Sequence, residues 1–386
     1  MVLQLQNYWY VWQRSWTFTL SLWGFLSRRI SFGLWFRLIR DELTEVRQDV
    51  KDVALDNVVY TPLNDSDSIR VLILEPGRWA DPLKARLEER RFQDATTPYE
   101  ALSYAWGAFS LSSGKRIQIQ DSTMPITSNL DEALRSLRSE QSQRVVWVDF
   151  VCINQSDLQE RVCQVRMMGD IYRQAEKVIV WLGMPTPASE LGMKTLSFLA
   201  GNEDLTKGSP WEAHSPENVI AAINDIIERP YFERIWVVQE GALAQKTNLH
   251  VGHLLVSWGQ GSATSKFLSR IKFVQISHTW KYGGLGGVNM QPLIDMLTIS
   301  RLALAKARGV EVKPTIIDVL YDMRHRKSTD PRDMIFALLG LGFETYGVMA
   351  DYEISREETY WRLFQGLNQA AQQEMNELDV TSALTM

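Results

Sequence analysis

Residues 147–164 crowd ionisable and polar side chains into a short span: Asp149, Cys152, Asn154 and Gln155 in WVDFVCINQ, then Glu160, Arg161 and Gln164 in the segment that follows. An apolar run that closes on small polar groups either caps a turn or lines a site. Ser156 with Gln159 three residues on predicts a capping box and a helix start, whose free N–H groups and positive dipole end favour an anion. Asp149 could polarise a ligand or cap the backbone of residues 152–155. Glu160 is the candidate catalytic carboxylate, set against a first-turn glutamate paired with Arg161 or Gln164. A nucleophilic Cys152 would need a nearby base. The histidines, His214, His250, His253, His278 and His325, all lie well downstream. Cys152 therefore reads as a buried structural thiol, and so does Cys163. His250-x-x-His253 has no cysteine or carboxylate at metal-site spacing and reads as a surface pair, so no metal is expected.

Two other stretches carry candidates. In YEALSYAWG, Tyr104 and Trp106 could stack on a ring, and Gly107 allows close backbone approach; core packing and turn geometry are the competing reading. In RPYFERIWVVQE, residues Arg234, Trp236, Gln239 and Glu240 form an amphipathic strand or a short helix start. Arg234 could meet a phosphate or pair with Asp149 or Glu160. Further on, Asp330, Arg332 and Asp333 read as capping and ion pairing at a helix start.

Regular elements must position these groups. IRVLILEPG (69–77) reads as a strand ended by Pro-Gly, and 81–94 as a loop and short helix. Tyr99–Gly107 is a second strand, and IQIQ with MPIT a hairpin. NLDEALRSLR is a helix with Asn129 as its N-cap, and Val145–Val151 a strand buried on both faces. The next helix carries one apolar stripe, Leu158, Val162, Val165, Met168, Tyr172 and Ala175, with Glu160 and Gln164 on the opposite side. VIVWLG (178–183) is again a strand. This alternation predicts an α/β fold with a doubly wound parallel sheet at 99–183 and ligands outside the carboxyl strand ends. Beyond it the pattern turns helical at 189–200, 216–228, 260–277, 291–306, 314–323, 332–340 and 355–375, interrupted by the hairpin NLHVG/LLVSWG. GGLGG (283–287) lacks the Gly-Lys-Ser/Thr ending of a phosphate loop and reads as a flexible connection.

With 45% hydrophobic and 23% charged residues in 386, the chain has globular composition, and its two cysteines exclude a disulfide framework. The first 40 residues hold five arginines, no acid and five tryptophans. The remainder carries 36 basic and 46 acidic residues, an acidic body that argues against nucleic-acid binding. Residues 1–45 form an aromatic, Arg-bearing segment whose uncharged run Ser15–Ser27 is shorter than the roughly 18–20 residues of a spanning helix. It reads as an interfacial anchor, a mitochondrial-type presequence or an extra helix, so a cytoplasmic location is expected, with membrane or mitochondrial contact through residues 1–40 left open.

The blocks YEALSYAWG, NLDEALRSLR running through RVVWVDFVCINQSDLQERVCQVRMMGDIYRQAEKVIVWLG, and RPYFERIWVVQE resemble, in order, the heterokaryon incompatibility (HET) domain family of filamentous fungi. IRVLILEPG upstream, with TDPRDMIFALLGL and DYEISREETY downstream, also fits. The resemblance implies a core over 58–258, followed by a helical extension over 259–386. It implies a flavodoxin-like fold similar to Toll/interleukin-1 receptor (TIR) domains. It also implies a non-self-recognition protein that meets a protein partner, self-assembles as a homo-oligomer and relays programmed cell death, with no cofactor. A second implied reading is a TIR-like glycohydrolase with NAD as substrate, in which Glu160 stabilises oxocarbenium-like charge and Asp149, Asn154 and Arg234 place the dinucleotide. A third is a relative that no longer signals.

Overall fold

The computed structural model describes residues 60–92, 98–107, 114–205 and 207–384; the aromatic segment over 1–45 lies outside them. A largely apolar run buried on both faces belongs inside a sheet. Three such runs occur: β1 (Ser68–Leu74), β3 (Glu100–Tyr104) and β7 (Lys177–Trp181), with nearly every residue buried. With β2 (Leu83–Arg91), β4 (Arg116–Ile119), β5 (Ser122–Pro125), β6 (Arg144–Trp147), β8 (Lys246–Val251) and β9 (Leu254–Gly259) they form one nine-stranded sheet of order β5-β4-β2-β1-β6-β3-β7-β8-β9. Its centre, β6-β3-β7-β8, is parallel. The sheet as a whole is mixed, because β1 runs antiparallel to both β2 and β6 and each end closes in an antiparallel hairpin.

Helices cover the sheet: α1 (Ser128–Leu137), the single turn α2 (Asp149–Cys152), α3 (Leu158–Gln174), α4 (Ser189–Ala200), α5 (Pro216–Ile227), α6 (Trp236–Leu243), α7 (Ser262–Ile276) and α8 (His278–Tyr282). The C-terminal part is helical: α9 (Gln291–Ala307), α10 (Ile316–Met323), α11 (Asp333–Leu339) and α12 (Arg356–Leu384). Among the described residues no helix is long and apolar enough to cross a membrane.

Several local expectations are corrected. Residues 83–91 are strand β2, not loop and helix: the good helix formers of LKARLEERR pair with β1 over seven residues. Strand β6 stops at Trp147, and Asp149 opens a helical turn in which the Cys152 N–H bonds back to the Val148 carbonyl at 2.7 Å. Thr127, not Asn129, caps α1, accepting the Leu130 N–H. Asp157, not Ser156, caps α3, accepting the N–H groups of Gln159 and Glu160 at 3.0 Å. The buried side of α3 is also rotated from the apolar stripe. Leu158 is 38% exposed, whereas Gln164, Met168, Gly169, Ile171 and Tyr172 are buried. Of the two readings of RIWVVQE, the helix start is the one observed, a short turn leading into helix α6. Cys163 is exposed, and His250 is half-buried on β8, where burial lowers its pKa to about 4.

One contact tests the packing around the β8–β9 end of the sheet. Gly192 of α4 faces α5 so closely that a Cβ would sit 2.1 Å from the Ala222 carbonyl oxygen. On an open helix, Gly→Ala gains about 1 kcal/mol. Here Gly192→Ala is expected instead to cost on the order of 1–3 kcal/mol, because backbone must move. Urea unfolding reads the sign directly.

Candidate functional site

The carboxyl ends of β3 and β6 bring the first two motif blocks together. Beyond Tyr104 the chain runs through Trp106 to Gly107, whose φ of +71° suits glycine. The Trp106 indole N–H donates to Asp149 Oδ2 at 2.9 Å, and its ring meets Phe150 edge-on at 5.4 Å. Asp149 Oδ1 accepts the Phe150 N–H at 2.7 Å, and Gln155 Nε2 donates to the Asp149 carbonyl at 3.0 Å. Asp149 thus pins the turn onto Trp106 rather than capping residues 152–155. The third block arrives from the 3₁₀ turn Pro230–Glu233 and α6. The Arg234 guanidinium lies 5.8 Å from the centre of the Trp106 ring and donates to the Tyr104 carbonyl. It forms no ion pair with Glu160.

A deeper layer lies beneath. Ser103 Oγ donates to Glu240 Oε2 at 2.5 Å and stands 2.9 Å from the Tyr231 hydroxyl, while Tyr172 donates to the Leu102 carbonyl. Burial pushes Glu240 up to about 7, against the pull of Arg234, and raises Asp149 against the same guanidinium. The Tyr104 hydroxyl is buried there without a hydrogen-bond partner among the described residues, and burial raises it well above the ordinary tyrosine value. Two carboxylates and one guanidinium therefore share a desolvated space under Trp106.

Glu160 stands apart from this cluster. Its two oxygens take the two Nη groups of Arg70 at 2.5 and 3.0 Å, both side chains being less than a tenth exposed, and Oε1 also accepts the Asn154 N–H at 2.7 Å. Arg70 goes on to the carbonyls of Cys152 and Thr61, and lies 5.0 Å from the centre of the Tyr60 ring. Asn154 Oδ1 accepts the Ser156 N–H, and Gln164 donates to the Ser68 carbonyl. Cys152 is buried, its Sγ accepting the Val148 N–H, and burial pushes its thiol up to about 12, the condition of an inert thiol.

The remaining candidates tie the core to the C-terminal helices. Trp236 and Tyr352 both donate to Asp333, the latter at 2.6 Å, and burial holds Asp333 up at about 6. Arg161 stacks on the Tyr352 ring, Gln239 Oε1 accepts the Gly340 N–H, and Asp330 pairs with Arg332 as the sequence predicts. Asp333 itself accepts from Tyr352 rather than capping the helix.

Sequence reasoning missed Arg70, Ser103, Tyr231 and Asn129 as organising residues. Asn129 bridges two strand ends, donating to the Ala105 carbonyl and accepting the Trp181 indole N–H at 2.9 Å. Arg70 had a signal: it is one cation inside an otherwise buried apolar strand. An open depression of about 450 Å³ lies at the end of β7, lined by Gly183, Met184, Asp225 and Arg229 among others. Neither Glu160 nor Asp149 lines it.

Comparison with known proteins adds the following. Residues 99–240 match the family model described as Heterokaryon incompatibility protein (HET). The chain is 28% identical over 308 residues to Heterokaryon incompatibility protein 6, OR allele, of Neurospora crassa, the match covering 67% of this chain and 45% of that protein. The chain thus spans less than half the length of that curated relative. No solved structure matches it.

Breaking the Arg70–Glu160 pair from one side leaves a buried charge alone. Glu160→Ala is expected to cost about 3–5 kcal/mol, whereas Arg70→Met with Glu160→Leu together is expected to recover most of it; a double-mutant cycle in urea measures both. Glu240 gives a pH signature. Its folded pKa of about 7 lies above its ordinary 4.5, so the folded state binds the extra proton and the resulting stability is present below about 4.5 and lost as pH rises through 7. Glu240→Gln is expected to flatten that part of the stability–pH curve.

Proposed function

We propose, from the match of residues 99–240 to the HET family model, that this chain is an incompatibility-type non-self-recognition protein. It acts by meeting a protein partner and its own copies, and it relays programmed cell death without turning over a substrate. The observation that carries this reading is the state of the motif side chains. Glu160 gives both oxygens to Arg70, Asp149 gives both to Trp106 and the α2 backbone, and Glu240 is bonded to Ser103. A glycohydrolase would need a carboxylate free to meet ribose hydroxyls and a cleft around it. Freeing Glu160 would strand the buried Arg70. Packed and paired motif residues suit a rigid body that presents a surface.

The test is overexpression in a filamentous fungal host, reading viability and total NAD side by side. The partners are the wild type and the charge-free Arg70→Met, Glu160→Leu protein brought to equal level. Death from both with NAD intact is expected. NAD loss with the wild type alone transfers the function to a TIR-like NAD glycohydrolase centred on Glu160. A harmless wild type removes the signalling reading.

A further inference from the structure

The loop between β1 and β2 is held from beneath by two arginines of α1 and its C-terminal end. Arg135 donates to the carbonyls of Trp79 and Asp81, and Arg138 to those of Arg78, Asp81 and Pro82. The Arg78 N–H is closed on Asp81 Oδ2 at 2.8 Å, and the Gly77 N–H on the Ser139 carbonyl at 2.9 Å. A loop with so many of its carbonyls bound is pre-organised. What it presents is Trp79, 50% exposed, beside the exposed Arg78. An ordered tryptophan displayed to solvent next to an arginine has the composition of an interface anchor.

The same chain contains a receptor of matching chemistry. A depression of about 270 Å³ opens at the start of α5, floored by Trp211, Val219 and Leu285 and rimmed by Glu212 and His214. Its floor is stiff, because Trp211 is wedged edge-to-face between Phe198 and Trp280 at 5.5 and 5.4 Å. Glu212 is exposed on the rim and offers a carboxylate to an incoming indole N–H or guanidinium.

The two features cannot meet within one molecule. Trp79 follows β1, whereas the depression belongs to α5 and the segment after α8, among the helices that pack with α4 and α7 on β9. Five strand steps separate β1 from β9, roughly 24 Å at the usual spacing.

We propose that Trp79 of one copy seats in the Trp211–Val219–Leu285 depression of a second copy, with Arg78 against Glu212. Knob and hole are different surfaces, so the contact is head-to-tail. Each added copy leaves one free tryptophan and one free depression, and growth continues as an open chain unless the rotation closes a ring. The role of such a chain in signalling rests on the reading above. The contact itself is tested without cells, so the two fail separately.

The experiment is sedimentation velocity on the purified full chain over a concentration series reaching tens of micromolar. The wild type is expected to form a growing series of oligomers. Trp79→Ala is expected to weaken association on the order of tenfold or more. Arg78→Glu and Glu212→Arg should each weaken it, and the two together should restore it. These side chains are exposed, so equal melting temperatures across the set exclude misfolding as the cause. The sharpest arm mixes Trp79→Ala, which keeps only a working depression, with Glu212→Arg, which keeps only a working tryptophan. A one-to-one dimer with nothing larger is expected. A wild type that stays monomeric, a Trp79→Ala protein that associates like the wild type, or a mixture that stays monomeric overturns the proposal.

Discussion

The packing of this domain turns on one cation placed where only apolar groups belong. Arg70 sits in the middle of β1, a strand buried along its whole length, and a buried guanidinium must be neutralised and fully bonded. The partner that does so is Glu160 in the first turn of α3. That choice fixes the rotation of α3, which explains why Gln164, one turn on, faces the sheet and reaches Ser68 while Leu158 is turned toward solvent. It also fixes the strand-end loop, since Arg70 holds the Cys152 carbonyl and Glu160 holds the Asn154 N–H. The polar ending of WVDFVCINQ is therefore drawn inward to satisfy a charge.

A second balance is struck under Trp106. Asp149 and Glu240 both lie out of water, with Arg234 as the cation that opposes each of them. A single guanidinium does not neutralise two carboxylates, and burial in low-dielectric surroundings raises the pKa of both. Ser103 and Tyr231 complete the bonding around Glu240. The three motif blocks, distant in sequence, are thus one electrostatic unit whose members hold the loop after β3, the α2 turn and the start of α6 in register.

Legibility in the sequence followed burial. β1, β3 and β7 were readable because a short, largely apolar run has few alternatives, and the later helices because their periodicity is regular. β2 was not, since LKARLEERR is rich in helix formers and its strand state comes from pairing with β1, a non-local fact. VVWVDFV looks like one strand throughout; only the bonds of Asp149 to Trp106 and Phe150 show why it breaks at Trp147. Individual site residues were visible, but their partners were not. Asp149 with Trp106, and Glu160 with Arg70, are separated by 43 and 90 positions, and no local pattern encodes such a pairing.

The bonds that cross the limits of the family match bear on how such a domain can be moved between proteins. Residues 99–240 rely on Arg70 from upstream, and on Asp333, Gly340 and Tyr352 from downstream, to satisfy Glu160, Trp236, Gln239 and Arg161. Gly169 and Gly340 approach so closely that a Cβ on the first would stand 3.0 Å from the second. A gene fusion cut at the edges of the match would inherit exposed apolar faces and orphaned ions. A graft of residues 99–240 is therefore expected to stay folded only when Arg70 and the Asp333–Tyr352 stretch travel with it.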